Sequence, residues 1–314
     1  MGGKQAAERL DAGQGGIARA AALLRAGSVV ALPTETVYGL AGRADSEDAV
    51  AAIYRAKGRP LFNPLIVHVA SLDDARRIAV LDERAEALAA RFWPGPLTMV
   101  LPLRAGSGIA TAVTAGLPSI ALRMPAHPAM QGVLRALGHP LAAPSANRSG
   151  GVSPTTADHV AHSLGGRVAA ILDGGECAQG IESTIVALRD GGGWQILRPG
   201  PLTQAALSDV LGSPPVAGDH GIEAPGQLAS HYAPGKPVRL DATAAEADEF
   251  LIGFGPVPGD CDLSPGGDLA EAAARLYACL HRAAADNRPR IAVAPIPDDG
   301  IGAAINDRLR RAAA

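Results

Sequence analysis

The sequence predicts an α/β protein: a twisted mixed-sheet domain over residues 13–211, a linker over 212–237 and a smaller α/β domain over 238–314. Three observations lead there. Short apolar segments that read as strands alternate with stretches of helical period. The first part of the chain has too many consecutive short strands and small helices for a doubly wound sheet, whereas the last part alternates as β-α-β-α, the pattern of a small three-layer parallel domain. Between them, residues 212–237 hold five prolines and five glycines and no periodic apolar pattern, which marks a connection.

The elements follow in order. Residues 17–26 form an amphipathic helix stopped by Gly27, and 28–33 (SVVALP) an apolar strand. Ser46 is positioned to cap a helix that runs to Lys57, 65–69 (LIVHV) is a strand, and Ser71 with Asp74 resembles a capping box. Segments 97–103, 119–123 and 141–143 read as strands, with helices over 128–137 and 155–163. Strands over 168–172, 183–188 and 194–198 follow, the last two flanking the turn signal Asp190-Gly191-Gly192-Gly193, which is a hairpin turn rather than a phosphate loop. Thr203 caps a helix to Leu211. Beyond the linker, strands over 249–255 and 290–295 alternate with helices over 268–284 and 301–312.

Composition bounds the function. Of 314 residues, 47% are hydrophobic and 19% charged, enough apolar surface to exclude a disordered chain. Aromatics are only 3%, so Ala, Val, Leu and Ile build the core. The net charge of −3 offers no global attraction for nucleic acid or anionic membrane. It is unevenly spread: residues 1–240 carry 21 basic and 19 acidic side chains, residues 241–314 carry 7 and 12, so any anion chemistry belongs to the first part. Only Lys4, Lys57 and Lys236 are lysines. Three cysteines without CxxC spacing exclude a disulfide framework and a cysteine-rich zinc site. The N-terminus lacks the apolar stretch of a signal peptide and no apolar run reaches membrane-spanning length, so the expectation is a soluble cytoplasmic protein.

Several segments could carry chemistry. Lys57-Gly58-Arg59-Pro60 with Asn63-Pro64 places a point charge and a planar fork in a stiff loop, suited to polyphosphate or carboxylate; a basic helix end favoured by the macrodipole is the other reading. Ser145-Ala146-Asn147-Arg148-Ser149, directly after a strand, is either an anion nest, with Asn and Ser able to assist a phosphate-bound magnesium ion, or an ordinary turn. Thr34-Glu35-Thr36, Arg123 and Arg198 stand at strand ends, the last two before proline, where a side chain reaches a sheet-edge crevice or solvent. His159 and His162 lack a third metal ligand, Cys177 lacks a histidine partner, and neither GxxxxGK[ST] nor GxGxxG occurs.

Together these segments are more specific than any alone. PTETVYGL, KGRP with NPLIVHV, WPGPLTMVL, ALRMPAHP, APSANRSG, DGG with GIESTIV, and LRPGPLT follow the order of the YrdC-like domain, and the chain resembles the long, two-domain threonylcarbamoyl-AMP synthases. HYAP (231–234), SPGGDLAEAAARL and GIGAAINDRLRRA resemble the long form's linker and additional Rossmann-like domain.

The resemblance implies condensation of L-threonine, bicarbonate or CO2, and ATP to threonylcarbamoyl-AMP and pyrophosphate, with transfer to tRNA left to separate downstream proteins. Direct tRNA binding is then weak or absent, and no membrane is involved. It implies that Lys57 and Arg59 are catalytic, with Asn63 also holding the triphosphate and developing carbamate. Ser119, Ser145, Ser153 and Arg198 line the nucleotide side, and Asn147 lies near Mg2+. Thr36, His68, Arg123, the Ala143 backbone and Ser183 form the threonine pocket, while Tyr232 folds over ATP, making 212–237 a lid. An RNA-binding module on the same fold is disfavoured by the absence of a dense basic patch interleaved with aromatics. Carbamoyl transfer in hydrogenase maturation is disfavoured by the missing zinc-binding cysteine pairs.

Overall fold

A computed structural model of the chain describes residues 6–216, 218, 221, 223–227 and 231–314. The first domain runs β1 (Glu8–Asp11), α1 (Gln14–Arg25), β2 (Val30–Leu32), β3 (Gly39–Arg43), α2 (Glu47–Lys57), β4 (Ile66–His68), α3 (Leu72–Ile78), α4 (Glu83–Phe92) and β5 (Leu97–Pro102). It continues through α5 (Thr111–Thr114), β6 (Ser119–Arg123), α6 (Pro128–Leu137), β7 (Leu141–Ala142), α7 (Ala157–Leu164), β8 (Ala170–Asp173), β9 (Thr184–Leu188), β10 (Trp194–Arg198) and α8 (Gln204–Leu211). The second comprises β11 (Val238–Arg239), β12 (Glu249–Gly253), β13 (Cys261–Asp262), α9 (Leu269–Ala285), β14 (Arg290–Val293) and α10 (Gly302–Ala313). Of the expected linker and lid, residues 217, 219, 220, 222 and 228–230 lie outside the described residues.

The first ten strands form one mixed sheet in the order β1-β8-β2-β3-β7-β4-β6-β5-β9-β10. Parallel pairs (β4 with β6, β5 with β9) adjoin antiparallel ones (β3 with β7, β5 with β6, β9 with β10), as the run of short strands predicts. Alternation along β2 divides the core: Val30 and Leu32 face α1 and α6, while Ala31 faces the layer that includes Ile53 of α2 and Leu88 of α4. On the first of these faces, the half of the sheet built by β4, β6, β5 and β9 has no helix over it among the described residues. Ile66, Val100, Ala121, Ile185 and Ala187 instead pack against Ala224 of the linker. A helix-free sheet face roofed by a loop leaves room for a cavity.

Local signals set the loops. Ser46 accepts a hydrogen bond from Ala49 N at the start of α2, and Gly58, left-handed at φ 63°, ends it. That reversal turns Arg59 back over the sheet. Trp194–Arg198 and Thr184–Leu188 form the expected hairpin through a short turn at Asp190–Gly192. Four elements of the first domain were not anticipated: β1, β3, α4 and α5.

The second domain is a four-stranded, all-parallel sheet in the order β11-β14-β12-β13. The expected three layers are corrected to two. Phe250, Ile252, Ile291 and Val293 share one core with α9 and α10, whereas Leu251 and Ala292 on the opposite face meet only Ala242 and Val257 from loops. Cys261 and Cys279 are disulfide-bonded, with Cα atoms 5.8 Å apart, tying β13 to α9. The exclusion of a disulfide framework therefore needs correcting to one bond, which strand-helix proximity creates and the 18-residue separation conceals. Cys177 is free and buried. Val37, Val152 and Ile181 of the first domain belong to the second domain's core cluster, and His159 of α7 stacks on His281 of α9 with ring centroids 3.9 Å apart.

Candidate active site

The loop-roofed face holds a small cavity of about 50 Å3, lined by charged and polar side chains. Its floor and walls come from the strand ends. Parallel pairing of β4 and β6 puts His68 beside Arg123. Thr36, Ala143, Ser145 and Ser183 come from loops next to β3, β7 and β9. Arg59 enters from the loop after α2, Arg198 from the end of β10, and Tyr232 with His231 from the linker. Nine positions assigned from the resemblance thus line one cavity.

Two guanidiniums there have no carboxylate in their hydrogen bonds among the described residues. Arg59 donates from Nε to Asn63 O at 3.2 Å and from Nη2 to Pro64 O at 2.9 Å. Arg198 donates to Ser183 O at 3.1 and 2.9 Å, to Ser183 Oγ at 3.0 Å and to Pro225 O at 3.4 Å. Both are nearly fully buried. Burial pushes Arg59 down to about 10 and lowers Arg198 as well. Arg59 is held by neutral carbonyls and Arg198 shares the charge of Glu182 with Arg308, so buried cations outnumber carboxylates around the cavity and favour an anion there.

Arg123 differs. It donates to Glu35 Oε1 at 2.6 Å, Thr36 Oγ1 at 2.9 Å and Gly95 O at 3.2 Å, so its position is fixed from three sides. His68 is buried with Nδ1 lacking a hydrogen-bond partner among the described residues; burial, assisted by Arg123, pushes it down to about 3. The ring is therefore neutral at pH 7 and can accept or donate one hydrogen bond to a ligand. Ser183 Oγ lies 2.7 Å from Thr98 Oγ1. Tyr232, left-handed at φ 65°, offers a buried hydroxyl without a hydrogen-bond partner among the described residues, and His231 Nδ1 is likewise buried with none there.

The remaining positions sit behind or beyond the wall. Lys57 does not line the cavity. Its ammonium donates to Ser145 O at 2.5 Å and Asn147 O at 2.6 Å, and its own carbonyl accepts from Ser149 N, so it clamps the loop from beneath. Burial holds its pKa well below the usual lysine value. Asn63 supplies its carbonyl to Arg59 and Tyr54 and keeps a buried Oδ1 with no hydrogen-bond partner among the described residues. Ser153 donates to Glu182 Oε1 at 2.5 Å, one step behind the wall. Ser119 pairs with Pro102 at the opposite end of β6 from Arg123, about 13 Å along the strand, and does not line the cavity.

Asn147 does not fit a metal ligand. Its Nδ2 donates to Arg148 O and Gly151 O, and its Oδ1 faces the Lys57 ammonium at 3.5 Å. Among the described residues no cluster of three His, Cys, Asp or Glu side chains is placed to hold a metal.

Glu182 is a charged wall residue that the sequence left unassigned. It is buried beside Ser183, and Arg308 and Arg198 hold its carboxyl down to about 2. Its partners Tyr277 and Arg308 are 95 and 126 residues away, beyond the reach of any local pattern.

A mixed-sheet domain with a cation-lined cavity, roofed by the linker to a second α/β domain, defines an enzyme of the two-domain YrdC-like class. Residues 22–200 match the family described as Telomere recombination (Sua5, YciO and YrdC), and residues 202–314 match the Threonylcarbamoyl-AMP synthase C-terminal domain. The chain is 42% identical to the threonylcarbamoyl-AMP synthase of Bacillus subtilis, over 95% of this chain and 92% of that one. It is 38% identical to the threonylcarbamoyl-AMP synthase of Pyrococcus abyssi, over 93% and 92%. The crystal structure of P. abyssi Sua5 complexed with L-threonine matches with a TM-score of 0.88 at 35% identity, covering 98% of this chain and 97% of that one. The chain belongs to the threonylcarbamoyl-AMP synthase family. No helix among the described residues is long and apolar enough to cross a membrane.

Proposed function

We propose that this enzyme is a nucleotidyltransferase that condenses L-threonine, bicarbonate or CO2, and ATP to L-threonylcarbamoyladenylate and pyrophosphate, for the threonylcarbamoyladenosine modification of tRNA. The observation that carries this reading is the pair Arg59 and Arg198, buried in one cavity with no carboxylate in their hydrogen bonds among the described residues, next to the strand-end group Thr36, His68, Arg123 and Ser183.

The chemistry asks for three things. The threonine nitrogen must be neutral to form its bond to the CO2 carbon, losing a proton and giving a carbamate. A carbamate oxygen then bonds to the α-phosphorus of ATP as the bond to the β-phosphate oxygen breaks and pyrophosphate leaves. The carbamate decays in water, so it must form next to the phosphate and away from solvent.

The residues suit those needs. Arg59 and Arg198 match a triphosphate in charge and planar geometry, and stabilise the charge that moves onto the leaving pyrophosphate. Arg123, pinned by Glu35 and Thr36, presents the edge of a fixed cation to the threonine carboxylate. Neutral His68 and Ser183 supply hydrogen bonds for the amine or hydroxyl. Lys57 acts through the loop, holding Ser145 against the nucleotide. Tyr232 and His231 close over the cavity and exclude water. Magnesium enters with the nucleotide as the MgATP substrate, coordinated by phosphate oxygens rather than by Asn147.

The product leaves for separate proteins that transfer the threonylcarbamoyl group to tRNA. A chain of net charge −3 does not need tight tRNA contact, and cytoplasmic action beside the tRNA pool is part of the same reading. Mass spectrometry of reactions with ATP, magnesium, bicarbonate and L-threonine tests it: an adduct of threonine, CO2 and AMP is expected. Folded enzyme that yields none would reject it.

A further inference from the structure

The second domain contributes no side chain to the cavity wall, yet it sends one guanidinium to three of its supports. Arg308, on α10, is fully buried. Its Nε donates to Glu182 Oε2 at 2.9 Å, its Nη2 to Pro199 O at 2.9 Å and its Nη1 to Asp307 Oδ2 at 2.7 Å. Its guanidinium carbon lies 5.3 Å from the centroid of the Tyr232 ring. Glu182 and Tyr232 line the cavity, and Pro199 directly follows Arg198, which also does.

We infer that Arg308 is a positioning residue for nucleotide binding, through which the second domain fixes the Arg198 strand end and the Tyr232 ring relative to each other. The inference deepens the functional reading above and rests on it. Glu182 alone does not require Arg308 for its placement, because Tyr277 donates to Oε2 at 2.8 Å and Ser153 to Oε1 at 2.5 Å. Tyr277 also stacks on Tyr232, with ring centroids 5.6 Å apart, so what this guanidinium adds is the link from Glu182 to Pro199 and a cation on the Tyr232 face. A planar fork can meet a carboxylate, a carbonyl and an aromatic face together; an ammonium cannot. If interface stability were the only role, an apolar pair of similar volume would serve as well.

ATP affinity by calorimetry, KM values for ATP and threonine, and thermal melts distinguish the roles, using the full chain. Arg308→Met is expected to weaken ATP binding at least ~10-fold while threonine KM moves less than about 3-fold. Arg308→Lys should recover only part of the loss. Arg308→Met also strands the Glu182 charge and should lower the melting temperature. Combining it with Glu182→Gln removes that charge and should restore stability, while ATP binding stays at least ~10-fold weaker than in Glu182→Gln alone. Equal ATP affinity in Glu182→Gln and the double variant would overturn the inference, as would equal losses for both substrates. Wild type that binds ATP but shows no threonine-dependent turnover would count against the functional reading only, leaving the affinity comparison intact.

Discussion

At the residue scale, the two basic groups of the KGRP segment separate into different tasks. Arg59 faces the cavity with only carbonyl partners, whereas Lys57 spends its ammonium on the carbonyls of Ser145 and Asn147. Replacing Lys57 by Met leaves two inward carbonyls without a donor and frees the loop that carries Ser145. Because misplacement of about 1 Å can cost ~100-fold, steady-state kinetics of Lys57→Met should show turnover reduced by about that factor. Arg59→Gln and Arg198→Gln remove counter-charge for the triphosphate directly, and each is expected to raise ATP KM at least ~10-fold with a smaller effect on threonine KM.

Among the elements, the turn between β10 and α8 is tightly constrained. A Cβ on Gly200 would stand 2.4 Å from Thr184 N and 2.7 Å from Glu182 O, backbone atoms that cannot yield without moving β9. Gly200→Ala should therefore destabilise by about 1–3 kcal/mol and weaken ATP binding, as Arg198 and Glu182 are displaced together; denaturant melts and calorimetry read the two effects. Elements with strong local signals were legible in the sequence: Ser46, Ser71 and Thr203 each cap the helix their pattern predicts. β3 was not, because Gly-Leu-Ala-Gly-Arg lacks the β-branched residues that mark a strand, and pairing with β2 and β7 supplies its structure. The second domain's layering misled for a related reason. Phe250, Leu251 and Ile252 are apolar on both faces of β12, the pattern of a sheet with helices on each side, but loops cover the second face. In the site, strand-end groups such as Arg123 and Arg198 could be picked out from local context. Glu182 and Arg308 could not, since each takes its meaning from the other across 126 residues.

For the whole molecule, the domain interface is both core and active-site support. Truncation after Leu211 removes Tyr232, His231 and Arg308, and leaves Val37, Val152 and Ile181 without their apolar neighbours. The truncated chain should bind a hydrophobic dye and lose at least ~100-fold in activity, measured as pyrophosphate release. Acid should loosen the same assembly. His68 is held at about 3, and His231 and His281 at about 4, all by burial, against 6.5 in an unfolded chain. Below pH 6.5 the unfolded chain takes up protons that the native protein refuses, so stability falls as pH falls. Each histidine adds a slope of roughly 1.4 kcal/mol per pH unit within its window. Glu182, held at about 2 against 4.5, adds stability present above pH 4.5 and lost toward pH 2. Melts should show maximal stability above pH 6.5 and a progressive fall to pH 4. The most direct measurement is pyrophosphate release with ATP and magnesium, adding bicarbonate and individual amino acids in turn. Release that needs bicarbonate and L-threonine together, and that falls at least ~10-fold with other amino acids, is the expected result. Release independent of threonine, or none with every substrate present, would contradict the assignment.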